Sequence, residues 1–300
     1  MTLRVLHLSP GALGPWAARL GALERDISYP IDDGRDRFVL DHGLAYHPFF
    51  SGQGDAHFLL AVDEDALVGC IVGVRKPIET PTGPVESVYL ADLKVATPWR
   101  GRGVPARLLT SALGLWARSP RRLSWRFAFG AAMRGERGDV MRAARGLSPM
   151  KLGAAVALLD VYFVEPGRLA ALEVTGAPPP MTGGGLDLSP AVTQDVVSTA
   201  GAKDFVLQST GAPWPLVHLP AGPHRWGRSH ADYLARGGRA LVAAKAPGPA
   251  CFALDVRRLA EREFLSAQGI RPGAACTVYG FSTTGRTRGA AWVHLATSDI

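Results

Sequence analysis

Arg100, Gly101, Arg102 and Gly103 stand where an apolar run meets a helical one, in "LADLKVATPWRGRGVPARLLTSAL", residues 90–113. Glycines at such a junction let the backbone turn with positive φ and approach a ligand closely. The helix that follows opens with N–H groups that have no partner inside it, and its dipole favours an anion there by up to about 2 kcal/mol. Arg100, Arg102 and Arg107 add positive charge. Pro105 suits the first turn of a helix, although it removes one N–H. These residues together make a cradle for a phosphate or pyrophosphate group.

Two kinds of protein build such a cradle. The dinucleotide-binding pattern G-x-G-x-x-G/A is formally met by Gly101, Gly103 and Ala106. That turn should follow its strand at once, however, and here "ATPW" intervenes and several strands precede. No acidic residue closes the next strand, "SWRFAFG", where a ribose contact belongs. The stretch "DLKVATPWRGRGVPARLL" instead resembles the acyl-CoA motif of the GNAT family of N-acetyltransferases: a strand ending L-x-V, then R/Q-x-x-G-x-G/A opening a helix. Arg100 and Gly103 fill the first two positions, and Pro105 stands where Gly or Ala is usual. The resemblance covers roughly residues 1–166. It implies an acetyl-CoA or other acyl-CoA co-substrate and no metal. Arg100, Gly101, Arg102, Gly103, Val104 and Ala106 would hold the pyrophosphate, and Leu93 and Val95 the pantetheine arm and thioester. It also implies direct attack by an amine, with no acylated enzyme.

Proton handling is less marked. An alkyl amine with a pKa near 10 is neutral in only about one molecule in a thousand at pH 7, so a nearby base matters. Relatives carry a carboxylate on the strand before L-x-V, and the candidates here are Asp92 and, more weakly, Glu86. Period-2 alternation places Glu86, Val88, Leu90, Asp92 and Lys94 on one face and Tyr89, Ala91, Leu93 and Val95 on the other. Ala91 aligns where some amine acetyltransferases have Glu. The tyrosine that many relatives use to protonate the leaving thiolate has no counterpart in "GDVMRAARGLSPMKLG"; Ser148 is a weak substitute and Tyr162 reads as core. A structural carboxylate is the plainer reading of Asp92. The segment "SYPIDDGRDRFVLDHGLAYHPFF" lies where relatives build the acceptor wall. Asp33 and Asp36 would attract a cationic amine, and Tyr46 and Phe49 would line an apolar slot, against the plainer reading of an acidic turn over an aromatic cluster. His42, His47 and His57 lack metal-ligand spacing and read as local hydrogen-bonders.

The elements that must position these residues follow from periodicity. Residues 12–27 and 105–117 have helical spacing, and "HFLLAVDED" and "ALVGCIVGVRKP" read as a hairpin about an acidic turn. "VESVYLADLKVA", "RRLSWRFAFG" and "AAVALLDVYFVEP" read as strands, with a short helix in "GDVMRAARGL" and loops with a short helix over 28–50. "TGAPPPMTGGGL" is the clearest break in composition. The expected organisation is a catalytic acyl-CoA-binding domain at 1–170, a Pro/Gly linker at 171–187 and a second α/β domain at 188–300, a degenerate copy of the first. Within the second, "SPAVTQDVVSTAG", "RSHADYLARGG" and "RRLAEREFLSAQGI" suggest helices, and "ALVAAKAP", "PACFALDV", "ACTVYGFS" and "AAWVHLATSDI" strands. The fold class is α/β with a mixed sheet, the GNAT N-acyltransferase fold in tandem.

Composition is consistent with this reading. The 300 residues are 47% hydrophobic and 20% charged, with formal charge +7; the pI is about 9.7 and the mean hydropathy +0.08. That describes a folded globular chain. The arginine excess accompanies abundant Ala, Gly and Pro, as a GC-rich gene would write. Three cysteines without C-x-x-C spacing exclude a disulfide framework or a zinc site. The N-terminal stretch lacks a secretory apolar region and the longest apolar run is too short for a bilayer, so a cytoplasmic protein without membrane contact is expected. "WPLVHLPAGPHRWGRSHADYL" holds only Arg225 and Arg228 as firm charges, too few for a nucleic-acid surface. The expected activity is transfer of an acetyl or other acyl group from coenzyme A to an amine of a small molecule or peptide. The alternatives are a non-catalytic acyl-CoA-binding regulatory module, or an acyltransferase fed by an acyl carrier protein. Nothing in the chain specifies an oligomeric state.

Overall fold

The computed structural model describes residues 3–31, 34–119, 125–135, 138–139, 154–181, 183–282 and 289–300. The strands are β1 (Arg4–Leu8), β2 (Ser28–Ile31), β3 (Asp36–Asp41), β4 (Asp55–Asp63), β5 (Ala66–Thr80), β6 (Gly83–Val95), β7 (Trp125–Gly135), β8 (Gly138–Asp139) and β9 (Ala154–Val164). They continue with β10 (Gly185–Asp187), β11 (Val197–Ser198), β12 (Asp204–Leu207), β13 (Val217–His218), β14 (Ala250–Asp255), β15 (Ala274–Ser282) and β16 (Trp292–His294). The α-helices are α1 (Ala17–Arg25), α2 (Pro48–Ser51), α3 (Val104–Arg118), α4 (Pro166–Ala170), α5 (His230–Ala243) and α6 (Leu259–Ala267).

One large mixed sheet organises both halves, in the order β1-β4-β5-β6-β7-β15-β9-β14-β13-β11. Its first half begins with antiparallel strands: β4 and β5 close through Glu64 and Asp65, with Glu64 at φ 51, a two-residue turn that the strand twist favours. Apolar residues face both ways along β4 and β5 because both faces are covered. On one face α3 packs Val104, Leu108 and Leu109 onto Leu59, Ala61, Val68 and Ile71. On the other, Leu20 and Leu23 of α1 and Phe49 and Phe50 of α2 join Phe58, Val72, Tyr89 and Phe127. A further core in the second half gathers Leu169, Leu234, Leu241, Phe252 and Leu254.

The two halves interleave. β15 pairs antiparallel with both β7 and β9, and β14 pairs with the other edge of β9. A small sheet, β12-β3-β2, is also shared: β12 of the second half adds to β3, with Phe205 opposite Leu40 and Leu207 opposite Phe38.

Several local expectations need correction. Residues 28–31 and 36–41, expected as loops, form the antiparallel strands β2 and β3. "ALVAAKAP" begins inside α5 rather than as a strand; its short apolar run fits either state by periodicity, and the N-cap at Ser229, which accepts from the Asp232 N–H, favours the helix. "SPAVTQDVVSTAG" forms no helix: it is turns and the two-residue β11, as its run of Val and Thr disfavours helix. Only Trp292–His294 of the last segment is strand. The expected helix in "GDVMRAARGL" and Ser148 lie outside the described residues.

Candidate functional site

The cradle forms where α3 begins. Gly101 and Gly103 have φ of 76° and 75°, values that favour glycine. A Cβ at either would meet nothing within 4 Å, so both face open space. The N–H groups of Gly101, Gly103, Val104 and Ala106 have no backbone partner among the described residues, whereas the Arg107 N–H reaches the Gly103 carbonyl. Arg100 donates through Nε to the Val95 carbonyl at 3.3 Å. Arg102 lies over the Trp99 ring, 5.3 Å from its centre. Arg107 turns away, donating to the Leu3 carbonyl at 2.9 Å.

From this helix start a cleft of about 1510 Å³ runs between β6 and β7. The two strands pair in parallel from Glu86 to Tyr89 and then separate. Gly130 marks the parting point, since a Cβ there would sit 2.8 Å from the Leu90 carbonyl oxygen. Beyond it β6 no longer bonds to β7, and Leu90, Leu93 and Val95 line the opening with Ala128 and Ala132. Unpaired strand backbone beside a helix N-terminus fits an extended polar arm ending in a diphosphate: the open space at the glycines and the free N–H groups match what coenzyme A would require there.

A β-bulge breaks the expected alternation. Cys70 opposes Lys94 and Val72 opposes Ala91, so Asp92 and Leu93 together face Ile71 alone. Asp92 takes φ 55, a conformation that Asp tolerates better than most residues. The extra residue moves Lys94 from the face of Leu90 to the buried face of Tyr89 and Ala91, while Leu93 and Val95 pack toward α3. Glu86, before the bulge, is exposed and outside the cleft lining.

Behind the bulge lies a buried polar cluster. Lys94 Nζ bonds Glu24 Oε1 at 2.6 Å and Asp92. Glu24 also accepts from the His42 backbone N–H at 3.1 Å and from its Nδ1. The Tyr46 hydroxyl donates to Asp92. Burial pushes the Asp92 carboxyl up, but Lys94 foremost, then His42, outweigh it and hold the group below its ordinary value. Burial likewise opposes the Lys94 ammonium, and Asp92 and Glu24 outweigh it, raising its pKa well above the usual lysine range. Ligand atoms of Glu24, His42 and Asp92 lie within 4.8 Å of one another, yet the two carboxylates already share the Lys94 ammonium. His42 Nε2 is buried with no partner among the described residues, and His42 lines the cleft.

The far wall is shared by both halves: Tyr29, Phe38, Phe49 and Phe50 from the first, and Lys203, Phe205, His218 and Thr297 from the second. Of the residues expected to meet the acceptor, Phe49 lines the cleft. Tyr46 is buried behind it and supports Asp92. Asp36 lies outside, exposed, bonded to Ser209 Oγ and the Arg37 N–H. Asp33 is outside the described residues. Lys203, 4% exposed, sits 4.6 Å from the Phe49 ring centre and 5.6 Å from that of Phe205. Burial pushes its ammonium down to about 8. Burial and the neighbouring Lys203 push His218 to about 3. His218 is therefore neutral, between Thr297 Oγ1 at 3.0 Å and Thr199 Oγ1 at 3.2 Å. Glu24, His42 and Lys203 were not singled out as a site from the sequence: no spacing links them, and only tertiary pairing brings them together.

No family model matches the chain, and no curated protein matches it. Solved structures do. A tandem GNAT protein from the clavulanic acid biosynthesis pathway aligns over 94% of this chain and 98% of its own, at 11% identity and a TM-score of 0.54. Saccharomyces cerevisiae N-myristoyltransferase with bound myristoyl-CoA aligns over 96% and 88%, at 11% identity and a TM-score of 0.55. A putative acetyltransferase from Pyrococcus horikoshii aligns over 99% and 95%, at 10% identity and a TM-score of 0.51. At such identities the likeness is one of fold. The chain has the GNAT fold in its tandem form, a mixed α/β architecture. No described helix is long and apolar enough to cross a membrane.

Proposed function

We propose that the protein is an acyl-CoA-dependent N-acyltransferase acting on an amine of a small molecule or peptide. One observation carries the reading: the parting of β6 from β7 after Tyr89 opens directly onto the free N–H groups at the start of α3, within a single cleft. Arg100, Arg102 and the N–H groups of Gly101, Gly103, Val104 and Ala106 hold the diphosphate. The freed backbone around Leu93 takes the pantetheine arm, and an N–H aimed at the thioester oxygen stabilises negative charge developing there. The bound acyl-CoA supplies a thioester: the amine nitrogen bonds to the carbonyl carbon, the C–S bond breaks, the thiolate leaves and the amine gives up a proton. The neighbours' printed descriptions, a tandem GNAT protein and a myristoyl-CoA complex, support this class of donor.

Within this reading His42 is the proton acceptor. His42 Nδ1–H donates to Glu24, which fixes the tautomer and leaves Nε2 with a lone pair and no partner among the described residues. Asp92 is the second candidate, but its oxygens already face Lys94 and Tyr46; its part is to anchor the incoming ammonium by charge. That engagement of Asp92 favours the second reading, a non-catalytic acyl-CoA-binding module.

Calorimetry with coenzyme A tests the cradle. The wild type binds, and Gly103→Val, which loads a β-branched residue onto φ 75 in the ligand space, loses binding while keeping a cooperative melt. Unchanged affinity in that variant removes the cradle. Thiol release from acetyl-CoA with a panel of amines separates the two readings: binding without turnover selects the module.

A further inference from the structure

We propose that Lys203 is the recognition site for a carboxylate carried by the acceptor, so that the substrate class is an amino acid or other amine bearing a carboxylate. The inference rests on the acyltransferase reading above for the identity of the cleft, and on geometry for the anion.

Lysine is seldom buried without a partner, because taking an ammonium out of water is costly unless an anion or hydrogen-bond acceptors replace the solvent. The other buried lysines among the described residues obey the rule. Lys76 pairs with Asp299 Oδ2 at 2.7 Å, and Lys94 with Glu24 and Asp92. Lys203 is as deeply buried as Lys76, yet among the described residues its Nζ has neither a carboxylate nor a hydrogen-bond acceptor, only the faces of Phe49 and Phe205. The backbone that carries the charge is also held in place. The Lys203 N–H donates to the Thr199 carbonyl at 2.7 Å, and Thr199 Oγ1 donates to the Lys203 carbonyl at 2.9 Å. β12, which starts one residue later, is pinned to β3. A cation between two aromatic rings, lining a cleft with no carboxylate within bonding distance of it among the described residues, is a socket for an anion entering through that cleft.

The cleft's charges then order the acceptor. At one end two carboxylates, Glu24 and Asp92, share one ammonium and draw the amine. At the other, Lys203 draws the carboxylate. Phe49 bridges the ends, since its ring also lies 5.1 Å from that of His42. Phe38, Phe50 and Phe205 make the walls apolar between them.

The test uses the full chain, the twenty common α-amino acids, β-alanine and γ-aminobutyrate, each set against its carboxamide. Thermal shift without any acyl-CoA reads binding alone. Thiol release with acetyl-CoA reads turnover. At least one acid is expected to raise the melting temperature of the wild type while its amide does not, and to exceed the amide in kcat/KM by about tenfold or more. Lys203→Met is expected to lose that difference in both assays, Lys203→Arg to keep part of it, and both to bind coenzyme A as the wild type does by calorimetry. Acids and amides acting alike on the wild type, no acid in the panel shifting its melt, or a preference that survives in Lys203→Met overturns the proposal. An acyl group found on Lys203 by mass spectrometry after incubation with acetyl-CoA overturns it too, by making the lysine a nucleophile. Failure to bind coenzyme A in the wild type instead strikes the acyltransferase reading and leaves the thermal-shift arm to judge Lys203 by itself.

Discussion

Tyr46 donates its hydroxyl to Asp92, and both residues hold left-handed backbones, at φ 62 and φ 55. Non-glycine residues seldom take this conformation, which costs about 1–3 kcal/mol where the surroundings enforce it. Here each strained residue orients the other's polar group. Asp92 lies in the bulge that interrupts the pairing of β6 with β5, and Tyr46 closes the buried cluster from the first half's irregular segment. The strain is concentrated where the cleft turns from the donor arm to the acceptor wall.

His42 and Asp92 are therefore expected to separate in their effects on kcat. His42→Gln lowers kcat by about 10²–10⁴-fold with coenzyme A affinity unchanged. Asp92→Asn leaves the shape of the pH–rate profile above about pH 4 unchanged, because Lys94 holds the Asp92 carboxyl below its ordinary value and it is already ionised there. A kcat in His42→Gln within a few-fold of the wild type contradicts the assignment.

Lys94→Met is expected to destabilise the fold by about 3–5 kcal/mol, because it strands Glu24 and Asp92 as buried carboxylates without their shared cation. Chemical denaturation at pH 7 measures it. The sign follows from the titrations. The raised Lys94 pKa gives stability that is complete below the unfolded lysine value of 10.5 and is lost as pH rises through the folded one. The depressed Asp92 pKa gives stability present above the unfolded value of 3.8 and lost as pH falls through the folded one. In the variant burial is no longer outweighed and raises the Asp92 carboxyl, so the difference between wild type and variant should shrink as pH falls.

Lys203→Met should behave in the opposite way and stabilise the protein at pH 7 by about 1–3 kcal/mol. The ammonium titrates near 8 when folded and 10.5 when unfolded. Below pH 8 both states carry the proton and the burial penalty is in full force. Between 8 and 10.5 the unfolded chain holds a proton that the folded chain has lost, so wild-type stability gains on the variant as pH rises. Asp92, Glu24 and Asp299 pull on this charge and Lys94 pushes against it, and burial exceeds them all. A destabilised Lys203→Met would mean that the lysine holds the wall together rather than serving a ligand.

Gly130→Ala is expected to cost about 1–3 kcal/mol and to weaken coenzyme A binding without touching the cradle. Its methyl group would press on the Leu90 carbonyl 2.8 Å away and alter the angle at which β6 leaves β7. Calorimetry beside a melt checks both effects, and unchanged affinity with reduced stability would show that the opening tolerates movement.

Some of this was legible in the residues. The glycine-arginine turn, the strand before it and the helix after it follow from local rules, and the hairpin about Glu64 and Asp65 from alternation. The bulge was not: one extra residue opposite Ile71 reverses the phase of period 2, and alternation alone kept Asp92 and Lys94 on the face of Leu90. Lys203 sits in the unremarkable run "GAKDFV". Its place depends on β12 joining β3, a pairing between segments far apart in the chain that leaves no local trace. The Glu24–His42 pair is likewise made by α1 packing beside the end of β3.

Because β15 lies between β7 and β9, chain order and spatial order part company in the middle of the sheet. A fragment ending near residue 187 would not be a smaller version of this fold. It would have a gap where a central strand belongs and a bare edge on β3, two invitations to aggregate. Splitting this gene at its most obvious seam should yield two insoluble products, and mixing them after synthesis should rescue little.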